Sequence, residues 1–184
     1  MKINWILSAS YILPAEIDID AIKNIGPTWG SYRSWRSCNT DNVVCHDLNK
    51  SRELLKRAFQ AVCNFYVPRS FYQDLGRPIG IKLYDGEFKE DCQDIEDIVA
   101  MHLAANQSDI VLLAGFDFST PIMPEDRLEQ HRLKNRMGLM RGVIAGTPQT
   151  QWVLVDHDRD LDKAYQTLPN LTCDVMANVL KLLL

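Results

Sequence analysis

Short apolar runs alternate with amphipathic segments along almost the whole chain. Five of these runs are rich in aliphatic and β-branched residues and lack a clean alternation of apolar and polar positions. Such runs predict strands that are buried on both faces, as in a parallel sheet. They are Ile3–Leu13, Asn42–Cys45, Ile79–Tyr84, Ile110–Gly115 and Trp152–Val155.

Segments with apolar residues spaced three or four positions apart lie between most of these runs and predict helices. They extend from Ser51 to about Tyr66, over 92–106, over 124–144, and from about Thr172 onward. Because strands and helices alternate, we expect an α/β fold with parallel strands and crossover helices. The predicted architecture is a doubly wound, mainly parallel five-stranded sheet with helices on both faces, Rossmann-like or flavodoxin-like.

The chain has 184 residues, a length that suits a single domain over residues 1–184. Two segments, near 25–41 and 67–78, show neither the apolar runs of the predicted strands nor the helical spacing of apolar residues, and they are predicted to be irregular insertions. Both are longer than ordinary connections, and long loops in such folds often serve a binding site.

Charge and cysteine content limit the possible partners. Lysine and arginine number 20 against 24 acidic residues, so the net charge of −4 gives no general attraction to nucleic acid or anionic membranes. No run approaches the ~20 apolar residues of a membrane span. The five cysteines form no CxxC pair, which favours buried free thiols in a reducing compartment and hence a cytoplasmic location. The triplet Asn170-Leu171-Thr172 matches the glycosylation pattern, which often arises by chance.

Acidic residues and histidines follow four of the five predicted strands. Because parallel strands present their carboxyl ends along one edge, where doubly wound sheets bind ligands, these residues predict a site there. Each one alone is better explained as a turn or helix cap, so the prediction depends on their common edge. They are His46 and Asp47, Asp85 and Glu87, Asp117 and Ser119, and Asp156, His157 and Asp158.

Histidines beside aspartates are candidates for acid–base catalysis. The predicted catalytic residues are therefore His157 with Asp156, and His46. The loop 26–33 is neither a P-loop nor GxGxxG, but its glycines, hydroxyls and arginine offer contacts to a phosphate. The basic helix around His131 is either a solvated face or an anion-binding surface. The predicted ligand-binding residues are Gly30, Arg33, Asp47, Asp85, Glu87, Asp117, Ser119 and His131.

The second half of the chain resembles the C-terminal part of bacterial sialyltransferase-like proteins and their uncharacterised relatives in microbes and phages. The resemblance covers 110–184 and follows the order of the segments 112–118, the His131 helix, the strand 152–155, the turn 156–160, and Leu168-Pro169. It implies a Rossmann-like fold and, in members that are enzymes, use of a nucleotide sugar without a metal. The family's Gly-Pro-Ser turn directly after the first strand is not matched, because Gly26-Pro27-Thr28 comes more than ten residues later.

Three functional hypotheses follow. The first is binding of a nucleotide, nucleotide sugar or other phosphorylated small molecule at the strand ends, with glycosyl transfer as one form of it. The second is a regulatory or virion-associated protein that works by association, through exposed tryptophans between Trp29 and Trp35 and a homo-oligomer contact of the leucine-rich helix ending in Leu184. The third is Mg²⁺-dependent phosphate chemistry on the acidic edge, although no metal-ligand set or cofactor can be named from the residues.

Overall fold

A single parallel sheet of eight strands organises the part of the chain that the structure describes. The computed structural model describes residues 1–8, 18–86, 95–156 and 160–183. Across the sheet the strands follow the order β5-β4-β3-β2-β1-β6-β7-β8, with every neighbouring pair parallel. They are β1 (Ile3–Leu7), β2 (Thr28–Ser31), β3 (Asn42–Val44), β4 (Asn64–Pro68), β5 (Lys82–Tyr84), β6 (Ile110–Ala114), β7 (Gln151–Val155) and β8 (Leu171–Asp174).

Five of the seven helices in the described part of the chain begin at a side-chain cap. The side chains of Asp18, Ser31, Asp47, Asp126 and Asp162 each accept a backbone N–H of the following first turn, which satisfies donors that a helix start leaves unpaired. None of the helices among the described residues is long and apolar enough to cross a membrane. The helices are α1 (Ile19–Ile25), α2 (Tyr32–Cys38), α3 (Leu48–Lys56), α4 (Ile95–Ala105), α5 (Arg127–Gly146), α6 (Lys163–Gln166) and α7 (Met176–Leu183).

Helices cover both faces of the sheet, as the alternating pattern predicted. Ile6 of β1 packs toward α4 and α5, in a core that also contains Trp152 and Tyr165. Its neighbours Trp5 and Leu7 point the other way, toward α1 and α7. Because Trp5, Ile6 and Leu7 are buried on whichever face they lie, this part of β1 is apolar without alternation.

The prediction of five strands is wrong, because three further strands lie where helix or irregular chain was expected. β2 and α2 occupy most of the segment 25–41. β4 lies in the second half of the helix predicted from Ser51 to Tyr66; α3 ends at Lys56, and Ala58 adopts a left-handed φ of 53° that turns the chain. β8 replaces the predicted start of the last helix.

The strand order places a topological switch between β1 and β6. Strands β2 to β5 are added outward on one side of β1, and β6 to β8 on the other. The carboxyl ends of β1 and β6 are joined by a hydrogen bond from the Ser8 N–H to the Ala114 carbonyl, at 3.0 Å. Ligands of doubly wound sheets bind in the crevice at such a point, outside the carboxyl ends of the strands.

Candidate functional site

The carboxyl edge of the eight-stranded sheet is too long for the predicted residues to form one site. The ends of β5 and β7 are six strand intervals apart, or about 29 Å at ~4.8 Å per interval. The predicted residues therefore divide into a β3–β5 group, with His46, Asp47 and Asp85, and a β6–β7 group, with Asp117, Ser119 and Asp156. The predictions for Glu87, His157 and Asp158 lie outside the described residues.

Between these groups, at the switch point, a buried serine contacts a buried acid. Ser8 follows β1, and its hydroxyl donates a hydrogen bond to Asp97 Oδ2 over 2.6 Å. Both side chains are almost fully buried, Asp97 at 2% exposure. Neither residue was predicted. Asp97 falls on the same face of α4 as Met101 and Ala104. An acidic residue within an apolar helical stripe is the sequence feature that could have identified it as a buried site residue.

In the β3–β5 group, the His46 imidazole is held by the tyrosine that ends β5. His46 Nδ1 lies 2.6 Å from the Tyr84 hydroxyl, and the two rings stack at 6.1 Å between centroids. Burial raises the pKa of Tyr84 far above its usual value, so the phenol stays protonated. The His46 backbone N–H donates to Glu96 Oε1 at 3.0 Å. These contacts fix the orientation of the imidazole at the carboxyl edge, as acid–base catalysis requires.

Glu96 brings a second ionisable group into contact with this histidine segment. Burial raises the pKa of Glu96, while hydrogen bonds from the His46 N–H and the Cys45 thiol act in the opposite direction. Burial, helped by the negative charge of Glu96, raises the pKa of the Cys45 thiol to about 12. A thiol with so high a pKa is an inert group at neutral pH. The prediction of buried free thiols is confirmed for Cys38 and Cys45, but it is wrong for Cys173, which is exposed on the edge strand β8.

The other two predicted acids on this side have structural partners. Asp47 caps α3 by accepting the Lys50 N–H at 2.8 Å. Asp85 pairs with Arg69 through two hydrogen bonds, and the bond to this guanidinium lowers the pKa of Asp85. Arg33 is exposed on the first turn of α2.

Gly30 has a packing role that needs no ligand. A Cβ at this position would lie 2.7 Å from the Ser34 Cβ and 2.8 Å from the Leu7 carbonyl oxygen. The glycine therefore allows β1, β2 and α2 to approach one another closely.

In the β6–β7 group, a cavity of about 250 Å³ lies between the loop after β6 and helix α5. Asp117 shapes this loop, because its Oδ1 accepts both the Ser119 N–H at 2.9 Å and the Ser119 hydroxyl at 2.5 Å. Arg136 lines the cavity although only 5% of its surface is exposed. Asp117 also lines the cavity, with its carboxylate bonded to Ser119. The rest of the wall is formed mainly by hydroxyl and apolar side chains, including Thr120, Met137, Met140 and Tyr165.

Asp156 and His131 lie away from this cavity wall. Asp156 has a left-handed φ of 53°, and its Oδ1 accepts the Met176 N–H at 2.7 Å, which tethers the start of α7. His131 is exposed on α5 with its Nε2 3.0 Å from Asn135 Nδ2. The basic residue that enters the cavity from this helix is Arg136, one and a half turns further along. The burial of Arg136 could not be predicted from the sequence, because the residue lies in a segment of charged side chains that is typical of an exposed helix face.

The described residues contain no group of three or more histidine, cysteine or acidic side chains arranged to hold a metal ion. The tryptophans expected at the surface are also placed differently: Trp29 is 2% exposed, and Trp35 packs edge-on against Phe59 at 4.7 Å. These two tryptophans therefore do not form the exposed contact surface that the hypothesis of a protein working by association requires. The side chains of the last leucines lie outside the described part of the chain.

Comparison with known proteins finds no family model, no curated protein and no solved structure that matches this chain significantly.

Proposed function

We propose that this protein binds a small phosphorylated molecule, of the nucleotide or nucleotide-sugar kind, at the carboxyl edge of its sheet. The observation that carries the proposal is the cavity beside β6, where buried Arg136 stands with the hydroxyls of Ser119 and Thr120. The sheet winds outward from β1 and β6 in the Rossmann-like manner, and the cavity lies at the end of one of these two strands.

The chemistry of the wall suits an anionic group. A guanidinium presents a planar set of N–H donors that matches phosphate or carboxylate oxygens in pairs. The hydroxyls of Ser119 and Thr120 donate to the carboxylates of Asp117 and Asp162 in the structure, so each must rotate away from its carboxylate to donate to a phosphate oxygen. The apolar side chains of Met137, Met140 and Tyr165 lower the local polarity, which strengthens each charge-assisted hydrogen bond.

The size of the cavity indicates which part of the ligand it takes. At about 250 Å³ it lies just below the ~300–1,000 Å³ of pockets that enclose whole drug-sized ligands. It therefore holds the phosphate end, while the rest of the molecule extends along the edge toward the Ser8–Asp97 pair of the neighbouring strand.

His46 supplies a transfer chemistry if the ligand is a nucleotide sugar, as the resemblance to sialyltransferase-like proteins implies. The end of β3 is three strand intervals from that of β6, or about 14 Å, a span that a nucleotide sugar rather than a lone phosphate bridges. The imidazole takes the proton of an acceptor hydroxyl, whose oxygen then bonds the anomeric carbon while the nucleotide leaves with the electrons of the broken bond. Tyr84 orients the imidazole in this step.

Thermal denaturation with a panel of ligands tests the proposal. Nucleotides and nucleotide sugars should raise the melting temperature, because a ligand at a hundred dissociation constants adds ~2.7 kcal/mol of stability. Inorganic phosphate should compete with them. Parallel runs with and without Mg²⁺ test the metal hypothesis, since stabilisation that requires the ion would favour it.

Variants locate the binding. Arg136→Gln and the milder Thr120→Val should reduce the stabilisation by the ligand, while Arg132→Gln, an exposed arginine on the same helix, should leave it unchanged. Thr120 is exposed, so its variant is expected to fold even if loss of Arg136 disturbs α5. Equal ligand stabilisation in the wild type and both cavity variants would refute the proposed position, and no stabilisation by any member of the panel would refute the function.

A further inference from the structure

A second, larger cavity lies at the amino edge of the sheet, opposite the proposed phosphate site. It measures about 590 Å³, within the range of small-molecule pockets. The first residues of three neighbouring strands line it: Asn42 of β3, Asn64 of β4 and Lys82 of β5. All three lie on the face of the sheet that α4 covers closer to β1, so the cavity occupies the space beside that helix.

Side-chain amides dominate the polar wall, and internal hydrogen bonds hold them in place. Asn42 Nδ2 donates to the Thr28 carbonyl at 3.1 Å, and Asn64 Nδ2 donates to Asn42 Oδ1 at 3.0 Å. Gln107 Nε2 donates to the Leu103 carbonyl at 3.2 Å. The carbonyl oxygens of Asn64 and Gln107 accept no hydrogen bond from the residues that the structure describes. The wall therefore presents oriented acceptors to anything that enters.

Aromatic residues and donors complete the wall. The Tyr66 ring lies 5.0 Å from that of Trp29, and both line the cavity. Burial raises the pKa of Tyr66, so its hydroxyl remains a donor at neutral pH. The Trp29 indole N–H is buried and has no acceptor within the described part of the chain. Because the Trp29 ring lines the cavity, the signal of its indole N–H is sensitive to a ligand that enters.

Charge is nearly balanced in this cavity. Lys23 lies 3.7 Å from Asp41, and Asp41 also accepts from the Thr28 N–H and hydroxyl. Lys82 alone among the charged residues of the wall takes part in no ion pair of the described residues. One exposed ammonium is a poor substitute for the guanidinium and helix-end donors that hold phosphate. A single carboxylate that is already bonded is a poor metal site.

We propose that this cavity is a second ligand site and that it binds a neutral sugar. A sugar hydroxyl both donates and accepts, so it pairs with the amide oxygens of Asn64 and Gln107 and with the donors Tyr66 and Lys82. The apolar C–H face of the ring packs against Tyr66 by dispersion contacts. The site is separate from the carboxyl edge, so it stands whether or not a phosphorylated ligand binds there.

The four tryptophans of the chain provide a direct test by ¹H–¹⁵N NMR of the indole groups in the full-length protein. Glucose, galactose, N-acetylglucosamine and short oligomers of each should shift the Trp29 indole signal in a saturable way. The Trp152 indole N–H is bonded internally to Thr147 Oγ1 at 3.1 Å and should not move, which makes it the control within the molecule. If no sugar of the panel shifts the Trp29 signal, the proposal is overturned.

Variants settle the position and the ligand class. Asn64→Ala, an exposed residue whose loss should not impair folding, should weaken sugar binding about tenfold, the effect of one to two net hydrogen bonds. Asn106→Ala, an exposed asparagine outside the wall, should bind as the wild type. Sugar binding that survives Asn64→Ala unchanged would place the sugar elsewhere. Uridine or adenosine that binds more tightly than any sugar and responds to Asn64→Ala would replace the sugar with a nucleobase as the ligand. The carboxyl-edge variant Thr120→Val should have no effect here, so the two proposals fail separately.

Discussion

Asn170 is the most connected amide in the described structure, and its removal should cost a measurable part of the stability. Its Nδ2 donates to the carbonyls of Ile144, Thr147 and Thr150 at 3.0, 3.1 and 3.0 Å. The side chain is 8% exposed, so it faces inward and does not serve as the glycan acceptor that its sequence triplet suggests. It fastens the end of α5 to the start of β8.

Substitution of Asn170 by alanine should lower the free energy of unfolding by about 2–4 kcal/mol. The two N–H groups of the amide, shared among three carbonyls, contribute about 0.5–1.5 kcal/mol each, and the Thr150 carbonyl left without this donor adds about 1 kcal/mol. Two of the three carbonyls keep a backbone donor in the variant, because the Thr147 N–H donates to the Ile144 carbonyl and the Thr150 N–H donates to the Thr147 carbonyl. The loss of stability should therefore not exceed about 4 kcal/mol. For a chain of this length a loss of ~3 kcal/mol lowers the melting temperature by roughly 6–12 °C.

Urea denaturation of the Asn170→Ala variant measures this cost. The control is Asn106→Ala, an exposed asparagine whose loss should change the stability by less than about 0.5 kcal/mol. Asn170→Asp keeps the shape but sets a carboxylate against the three carbonyls, so it should be worse than alanine at neutral pH and should recover in acid. A loss below about 1 kcal/mol for Asn170→Ala would show that these bonds do not fasten α5 to β8.

Three further predictions concern packing and ionisation. Gly30→Ala should destabilise the protein by about 1–3 kcal/mol, because the added methyl meets the Leu7 carbonyl and Ser34. Gly138→Ala, in an open stretch of α5, should instead stabilise it by about 0.5–1 kcal/mol. Urea denaturation that ranks the stabilities of the two variants the other way would contradict the geometry. Burial raises the pKa of the Glu96 carboxyl above its ordinary value of 4.5. The stability that this carboxyl contributes is therefore complete below about pH 4.5 and is lost as the pH rises through the raised pKa. Glu96→Gln should accordingly gain stability relative to the wild type between about pH 4 and pH 7, and parallel pH profiles of the two proteins would refute this. Iodoacetamide at pH 8 should modify exposed Cys173 in the folded protein but Cys45 only after unfolding; mass spectrometry showing equal rates would contradict the burial of Cys45.

The central part of the fold could be predicted from the sequence, and the reason is burial. β1, β6 and β7 lie where both faces are covered, so their apolar runs mark them directly. The missed strands lack that mark. β2 is four residues long and contains Gly30, β4 begins with exposed Asn64, and β8 is an edge strand with Thr172 and Cys173 exposed. Pairing with neighbouring strands stabilises them, and a local pattern does not reveal it.

The candidate site was predictable in its edge but not in its contacts. The described residues after β3, β5, β6 and β7 do lie at the carboxyl edge, yet most of the acids among them cap helices or pair with arginine. The contacts that assemble the crevice join distant parts of the chain: Ser8 with Asp97 across 89 positions, and His46 with Tyr84 across 38. Asp97 and Glu96 come from a helix that crosses the switch point, and no strand-end pattern includes them.

The switch between β1 and β6 is also a seam between two contiguous halves of the chain. Residues up to Gly86 form β1 to β5, and residues from Ile95 onward form β6 to β8. The second half contributes α4, which lies over β1, β2 and β3 of the first half and holds it through Asp97 and Ser8. A ligand that touches both the β3–β5 group and the β6–β7 group spans this seam. Binding of such a ligand then stabilises the contact between the two halves, so the affinity for the ligand and the stability of that contact are thermodynamically linked.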